Sequence, residues 1–225
     1  DINIPTTPLN VMQGYALWGP VNGTATFVGT LNNGNIGTPN NVTGNGQGWN
    51  LIGNPYPSGI RWVSAGNWTK TNVDDATYRH VNSTTWASYV NGVGANGGTN
   101  EISVGQGFFV HVTTGQTVGT VIVGNGARTV ANATFYKDEI ADIVRLEVSG
   151  NGYTDETVIR FADAATPAFD PDWDAYKLFG SVDEAPAIYS AENDMMSINA
   201  LPATNAVPVG VKAGVPGEFT ITATE

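Results

Sequence analysis

Alternation of apolar and polar residues is the dominant period along this chain. In Ile143-Val144-Arg145-Leu146-Glu147-Val148 it sets Val144, Leu146 and Val148 to one side and Arg145 and Glu147 to the other. Thr24-Ala25-Thr26-Phe27-Val28, Thr157-Val158-Ile159-Arg160-Phe161 and Glu218-Phe219-Thr220-Ile221-Thr222 repeat it. A period of two sends successive side chains to opposite faces, so each segment predicts a half-buried strand. Asn33-Gly34, Asn91-Gly92, Asn125-Gly126 and Asn151-Gly152 separate such segments and predict tight turns, since both residue types tolerate positive φ. Asn125-Gly126 is the strongest hairpin signal, joining 118–123 to 128–135. The Gly- and Asn-rich stretch 32–48 predicts a long exposed loop. No convincing amphipathic helix is present, although 170–179 has room for a turn or two.

With 28 glycines, 12 prolines and 13% charged residues in 225, the composition fits many short strands and tight turns. Charge then divides the chain. Residues 131–225 hold sixteen of the twenty acids and five of the nine bases, while residues 1–130 are neutral and hold 22 of the 28 glycines. This shift predicts two domains, a neutral Gly/Asn/Trp-rich one over 1–135 and an acidic one over 136–225. The expected fold class is all-β, two antiparallel β-sandwiches of jelly-roll or Ig-like type in series. A net charge of −11 argues against nucleic-acid and anionic-membrane binding, which need clustered Lys and Arg. No window of 18 apolar residues predicts membrane insertion. The start, Asp1-Ile2-Asn3-Ile4-Pro5, has no basic or apolar leader, which suits either a cytosolic chain or a mature piece of an exported precursor. Without cysteine, stability must come from packing or from oxygen-ligated ions.

Catalytic constellations are thin, and no enzyme is expected. His80 and His111 both alternate with apolar neighbours, and no nucleophile elbow accompanies either. Asp74 and Asp75 are adjacent, so in a strand they point apart rather than converging as a glycosidase pair. The densest acidic run holds Asp170, Asp172 and Asp174 in a proline-containing loop. There the leading reading is a brace, with Lys177 or Arg160 as the partner of one carboxylate. Calcium is the alternative occupant, since alternating carboxylates supply hard oxygen ligands; no other cofactor is expected. Aromatics form a third group. Trp49 and Trp18 are assigned to core. Trp62, Trp68, Trp86 and Tyr89 sit among Asn, Thr and Ser, where exposed rings would stack on the C–H face of a glycan. Core packing is the competing reading for these rings, and it leads for the three tryptophans.

Two further segments are architectural by their chemistry. In Gly48-Trp49-Asn50-Leu51-Ile52-Gly53-Asn54-Pro55-Tyr56-Pro57 a short apolar strand runs into a turn, and Pro55 and Pro57 push Asn54 and Tyr56 out of the α region. Leu51 or Ile52 should be buried and the Asn54 amide bonded to local backbone, so Asn54→Ala should cost about 1 kcal/mol. In Gly105-Gln106-Gly107-Phe108-Phe109-Val110 a core strand follows two glycines. These segments, with Phe27–Asn32, Asp155–Phe161 and the Asp172-Trp173-Asp174-Ala175-Tyr176-Lys177-Leu178 run, follow one another in an order that resembles the large surface and secreted proteins exported by Bacteroidota through the type IX secretion system. The resemblance implies an extracellular or cell-surface location. It also implies a fold-holding region between a working part and a C-terminal sorting domain, found across enzymes and adhesins alike. No catalytic residue belongs to that pattern; Asn50, Asn54, Pro55, Tyr56, Pro57, Gln106, Gly107 and Lys177 are its structural positions here.

The expectation is therefore a non-catalytic module that spaces or presents parts of a surface protein, its partners being other domains or copies of that protein. A carbohydrate-binding module, with glycans as partners, is the alternative. Since 218–225 is still alternating and has no closing turn, residues 206–225 are expected beside an open sheet edge, to be covered by further sequence or a neighbouring chain.

Overall fold

The computed structural model describes residues 8–16, 28–38, 42–62, 66–129, 140–192 and 194–225. They form an all-β protein with several sheets, antiparallel but for one strand pair, and no α-helix among the described residues. By contacts the chain divides into two compact units, Asp1–Val73 with Glu101–Ala133, and Asp74–Asn100 with Thr134–Glu225. Residues 74–100 thus group with the second half of the sequence. The boundary placed at 135 and 136 lies outside the described residues, as do Trp18 and most of the 24–28 segment.

In the first unit, Trp49–Gly53 pairs antiparallel with Gly107–His111, setting Ile52 opposite Phe108. Val118–Val123 is flanked by Trp68–Thr71, Ile36–Gly37 and Val42–Thr43. Gly59–Arg61 lies between Glu101–Ile102 and Arg128–Thr129. Ile52, Ile60, Trp62, Ile102, Phe108, Val110, Val121 and Val123 are buried and supply the core. Two expectations need correction. The 32–48 stretch carries two short strands, because Ile36 and Val42 bring enough side chain to pair beside Val118–Val123. The Asn125-Gly126 hairpin does not form. A 3-10 turn, Asn125–Ala127, stands there instead, and Arg128–Thr129 crosses to Gly59–Arg61. The Asn125 amide oxygen accepts the Gly34 N–H at 3.1 Å, and the Asn67 side chain fills the space a Cβ on residue 126 would need.

The second unit is built on one long sheet. Its strands run in the order Val209–Lys212, Ala187–Ser190, Met196–Leu201, Tyr153–Phe161, Ile143–Gly150 and Thr220–Ala223, and Ala175–Tyr176 also pairs with Met196–Leu201. Neighbours are antiparallel except Tyr153–Phe161 with Met196–Leu201, which is parallel. Asn151-Gly152, at φ 54° and 82°, makes the two-residue turn between Ile143–Gly150 and Tyr153–Phe161. Asn91-Gly92, at 43° and 88°, does the same between Trp86–Val90 and Val93–Ala95, beside which Thr77–His80 pairs. All six residues of Met196–Leu201 are buried, as befits a central strand covered on both faces. Its two polar members are satisfied: the Ser197 hydroxyl meets that of Ser88 at 2.8 Å, and the Asn199 amide donates to Ser190 Oγ at 2.6 Å. Each edge strand is pinned by a ring on a glycine. Tyr189 covers Gly210 directly opposite, and Phe219 covers Gly150.

Candidate functional site

The two architectural segments of the first unit meet and interlock. Gly53 stands opposite Gly107, so the turn after one strand abuts the turn before the other. The Asn54 N–H donates to the Gln106 carbonyl at 3.1 Å. The Asn54 Nδ2 group donates to the carbonyls of Ser58 at 2.8 Å and Ser103 at 3.0 Å, with that of Ile102 at 3.3 Å. The Asn54 Oδ1 atom accepts the Tyr56 N–H at 3.0 Å, closing an Asx turn on Pro55. On the other side Gln106 Oε1 accepts the Ser103 N–H at 3.0 Å. Pro55 and Tyr56 are buried and Pro57 is exposed. The Tyr56 hydroxyl reaches the carbonyls of Gly34 at 2.5 Å and Val123 at 2.9 Å, while Asn32 donates to the Pro55 carbonyl at 2.7 Å. Asn50 bridges Thr43 in both directions, accepting its N–H at 3.0 Å and donating to its carbonyl at 2.9 Å. Ile52 is the buried member of the Leu51-Ile52 pair. The Asn50 and Asn54 amides and the Tyr56 hydroxyl all end on the chain's own backbone.

The acidic loop of the second unit has different partners from those expected. Lys177 pairs with Asp155, twenty-two residues upstream, and donates to the Glu156 carbonyl at 3.0 Å. Arg160 lies 4.6 Å over the Trp173 ring and donates to the Asn91 carbonyl. Asp170 instead accepts the Thr166 N–H at 2.6 Å and its hydroxyl at 3.1 Å. Asp174 is fully buried, with one oxygen taking the Asp170 N–H and the other the Ala200 N–H, both at 2.7 Å. Asp172 is exposed. Asp170 and Asp174 therefore brace different backbone segments, while Asp172 is turned to solvent. Among the described residues no group of three His, Asp or Glu side chains is placed to hold a metal ion. Burial pushes the Asp174 carboxyl up to about 7, reinforced by the charge of Asp170 and opposed by the two N–H donors.

Asp155 and Asn96 are the residues that the sequence reading missed. Asp155 is buried; its Oδ2 also accepts the Ile188 N–H at 2.8 Å, and its Oδ1 accepts the Asn96 amide at 2.9 Å. Asn96 and Glu156 bond each other reciprocally, at 2.7 and 3.0 Å. Burial pulls the Lys177 ammonium below its ordinary range, and Asp155 opposes that pull. A signal existed: alternation in Tyr153–Phe161 puts Asp155 on the face of Thr157 and Ile159, where a carboxylate needs a cation.

Of the candidate sugar-binding rings, Trp62 and Trp68 belong to the first unit and Trp86 and Tyr89 to the second. Trp62 and Trp68 are only 2% and 8% exposed, so neither offers a face to a glycan. They meet edge-on with ring centroids 4.5 Å apart, Trp62 also touches Phe108 at 5.7 Å, and the Trp68 indole N–H donates to the Arg61 carbonyl at 2.7 Å. This sets aside Trp62 and Trp68 as binding residues and agrees with the core reading that led for both: the polar residues before Trp68 belong to a turn, while the ring turns inward. Trp49, expected in the core, is half-buried against His111, and the His111 ring nitrogen sits 3.0 Å from the Gln47 carbonyl. Trp86 is half-buried beside His80, and the Tyr89 hydroxyl accepts the Gly92 N–H at 3.1 Å.

A family model, described as a domain of unknown function (DUF8693), matches residues 6–225. The chain belongs to that family. No curated protein and no solved structure matches it.

Proposed function

We propose that this chain is a non-catalytic structural and interaction module of a secreted or cell-surface protein. In this reading it is two largely antiparallel β-sandwiches, the second including residues 74–100, that space or present parts of the parent protein. The observation that carries the reading is the fate of the signature side chains. Asn50, Asn54, the Tyr56 hydroxyl and Gln106 Oε1 bond the chain's own backbone; in the second unit Asp174 takes two backbone N–H groups and Lys177 is held by the Asp155 carboxylate and the Glu156 carbonyl. Groups bonded in this way hold loops in place, which supports an architectural role for them. The order of the segments that resembles type IX secretion cargo supports the cell-surface location. The sugar-binding alternative keeps only Trp86 and Tyr89, each half-buried beside its own partner.

A glycan array probed with the whole chain tests the choice between the two. The module reading expects no glycan retained above background. A retained glycan whose binding is lost in Trp86→Ala, with the melting temperature unchanged, would overturn it.

A further inference from the structure

The two edges of the long sheet are built differently. Val209–Lys212 follows Pro208 and carries Lys212, and proline and lysine are devices by which natural edges refuse another strand. Thr220–Ala223 has neither. It is Thr-Ile-Thr-Ala, uncharged, rich in β-branched residues and exposed at all four positions, with Ile221 53% exposed. Its register is fixed, since Ile221 stands opposite Val148 and Phe219 rests on Gly150. Thr224 donates its N–H to Arg145 at 3.0 Å. By alternation Thr222 and Thr220 face the same neighbour, which leaves the N–H and C=O groups of Ile221 and Ala223 directed to the open side.

The ends of this edge are acidic. Glu218 and Glu225 flank the strand, and Glu147 stands opposite Thr222. Arg145 is shared between Glu156, at 3.3 Å, and Glu225, at 2.5 Å, so one guanidinium serves two carboxylates. An antiparallel second copy on this edge, pairing Ile221 with Ile221 or with Ala223, would bring Glu218 of one strand within about one residue of Glu225 of the other, and like charges so close across a strand pair repel.

We propose that the Thr220–Ala223 edge accepts an extended strand from a different polypeptide, β-branched at alternate positions and carrying Lys or Arg at its ends. Main-chain hydrogen bonds to Ile221 and Ala223 supply the attachment, and Glu218 and Glu225 favour a partner that is basic at both ends. This rests on the reading of the chain as an interaction module and names the kind of partner that module takes.

The probe is a capped peptide, Lys-Thr-Val-Thr-Val-Thr-Lys, titrated into the whole isotope-labelled chain and followed by amide NMR. Two control peptides carry Glu at both ends or Pro at the centre. The expected result is shifts centred on the Ile221 and Ala223 amides, with their hydrogen exchange slowed about tenfold or more as they leave solvent. The Glu-ended peptide should bind several-fold more weakly, the Pro peptide should not bind, and added salt should weaken the Lys-ended one. Ile221→Pro removes an N–H that lies outside the ladder with Ile143–Gly150 and should abolish the shifts. If that variant fails to fold, Ile221→Lys, which keeps the backbone and adds a repelling charge, decides instead. Absent shifts, shifts elsewhere, or equal binding of the Lys- and Glu-ended peptides would each overturn the proposal. So would self-association in light scattering that Ile221→Pro or Ile221→Lys removes, since the occupant would then be a second copy. A failure here with an empty glycan array leaves the module reading in place, whereas Trp86-dependent glycan binding removes that reading whatever the peptide does.

Discussion

Replacing Asn54 tests whether the joint between the two interlocked segments holds the first unit together. Asn54→Ala removes a donor group serving the carbonyls of Ser58 and Ser103 and lying near that of Ile102, and it removes the acceptor of the Tyr56 N–H. Each lost hydrogen bond is worth about 0.5–1.5 kcal/mol net, and the buried Tyr56 N–H, left alone, adds about 1–3. The expected loss is about 3 kcal/mol, larger than the 1 kcal/mol read from the sequence, because that reading counted one local bond. For a chain of this length the loss lowers the melting temperature by roughly 6–12 °C. Tryptophan fluorescence is the suitable assay, since Trp62 and Trp68 are buried in the same unit. Asn54→Asp sharpens the test. It keeps the acceptor for Tyr56 but sets a carboxylate against three carbonyls, so at pH 7 it should melt below Asn54→Ala. A loss under about 1 kcal/mol for the alanine variant, or an aspartate variant milder than it, would refute the reasoning.

Lys177→Met should cost about 3–5 kcal/mol in chemical denaturation because it leaves Asp155 buried without its cation. The double variant Lys177→Met, Asp155→Leu should cost less than the two single losses added together; additive costs would dismiss the pair as a coupled unit. Asp174 predicts a pH dependence. Its folded pKa of about 7 lies above the ordinary 3.8, so between those values the folded chain keeps a proton that the unfolded chain releases. Its contribution therefore opposes folding increasingly as pH rises from about 4 to 7, with a slope of at most about 1.4 kcal/mol per pH unit. Subtracting the urea-unfolding curve of Asp174→Asn from that of the wild type should isolate a stability difference that falls over this window; a flat or rising difference would contradict the assignment.

What the sequence disclosed was local. Asn91-Gly92 and Asn151-Gly152 were legible because a two-residue turn needs only its own positive φ values, and both turns have them. Asn125-Gly126 carries the same dipeptide and fails, since Asn67 and Gly34, distant in sequence, claim its surroundings. The Asn54 corner was legible in kind, because proline and an Asx turn act within four residues. Its junction with Gln106 and Ser103 was not, being a pairing across some fifty residues. Lys177 could be marked as needing a carboxylate, but proximity favoured Asp170, Asp172 and Asp174, whereas strand order delivers Asp155. For Trp68 local polarity describes the turn that carries the ring and not the direction of the ring itself, which packs inward as the leading core reading had it.

The pairing of Thr220–Ala223 with Ile143–Gly150 also sets a schedule for synthesis. Val148 and Ile221 are opposite each other yet seventy-three residues apart. The hairpin across Asn151-Gly152 can close as soon as it emerges, while the outer side of Ile143–Gly150 must wait for Thr220–Ala223. At ordinary elongation rates that interval is roughly 4–15 s, long against the microseconds in which hairpins form. During it the nascent chain displays an unpaired edge holding Val144, Leu146 and Val148. Arg145 and Glu147, set between those apolar residues, are then the charges that keep the waiting edge from pairing with the wrong neighbour.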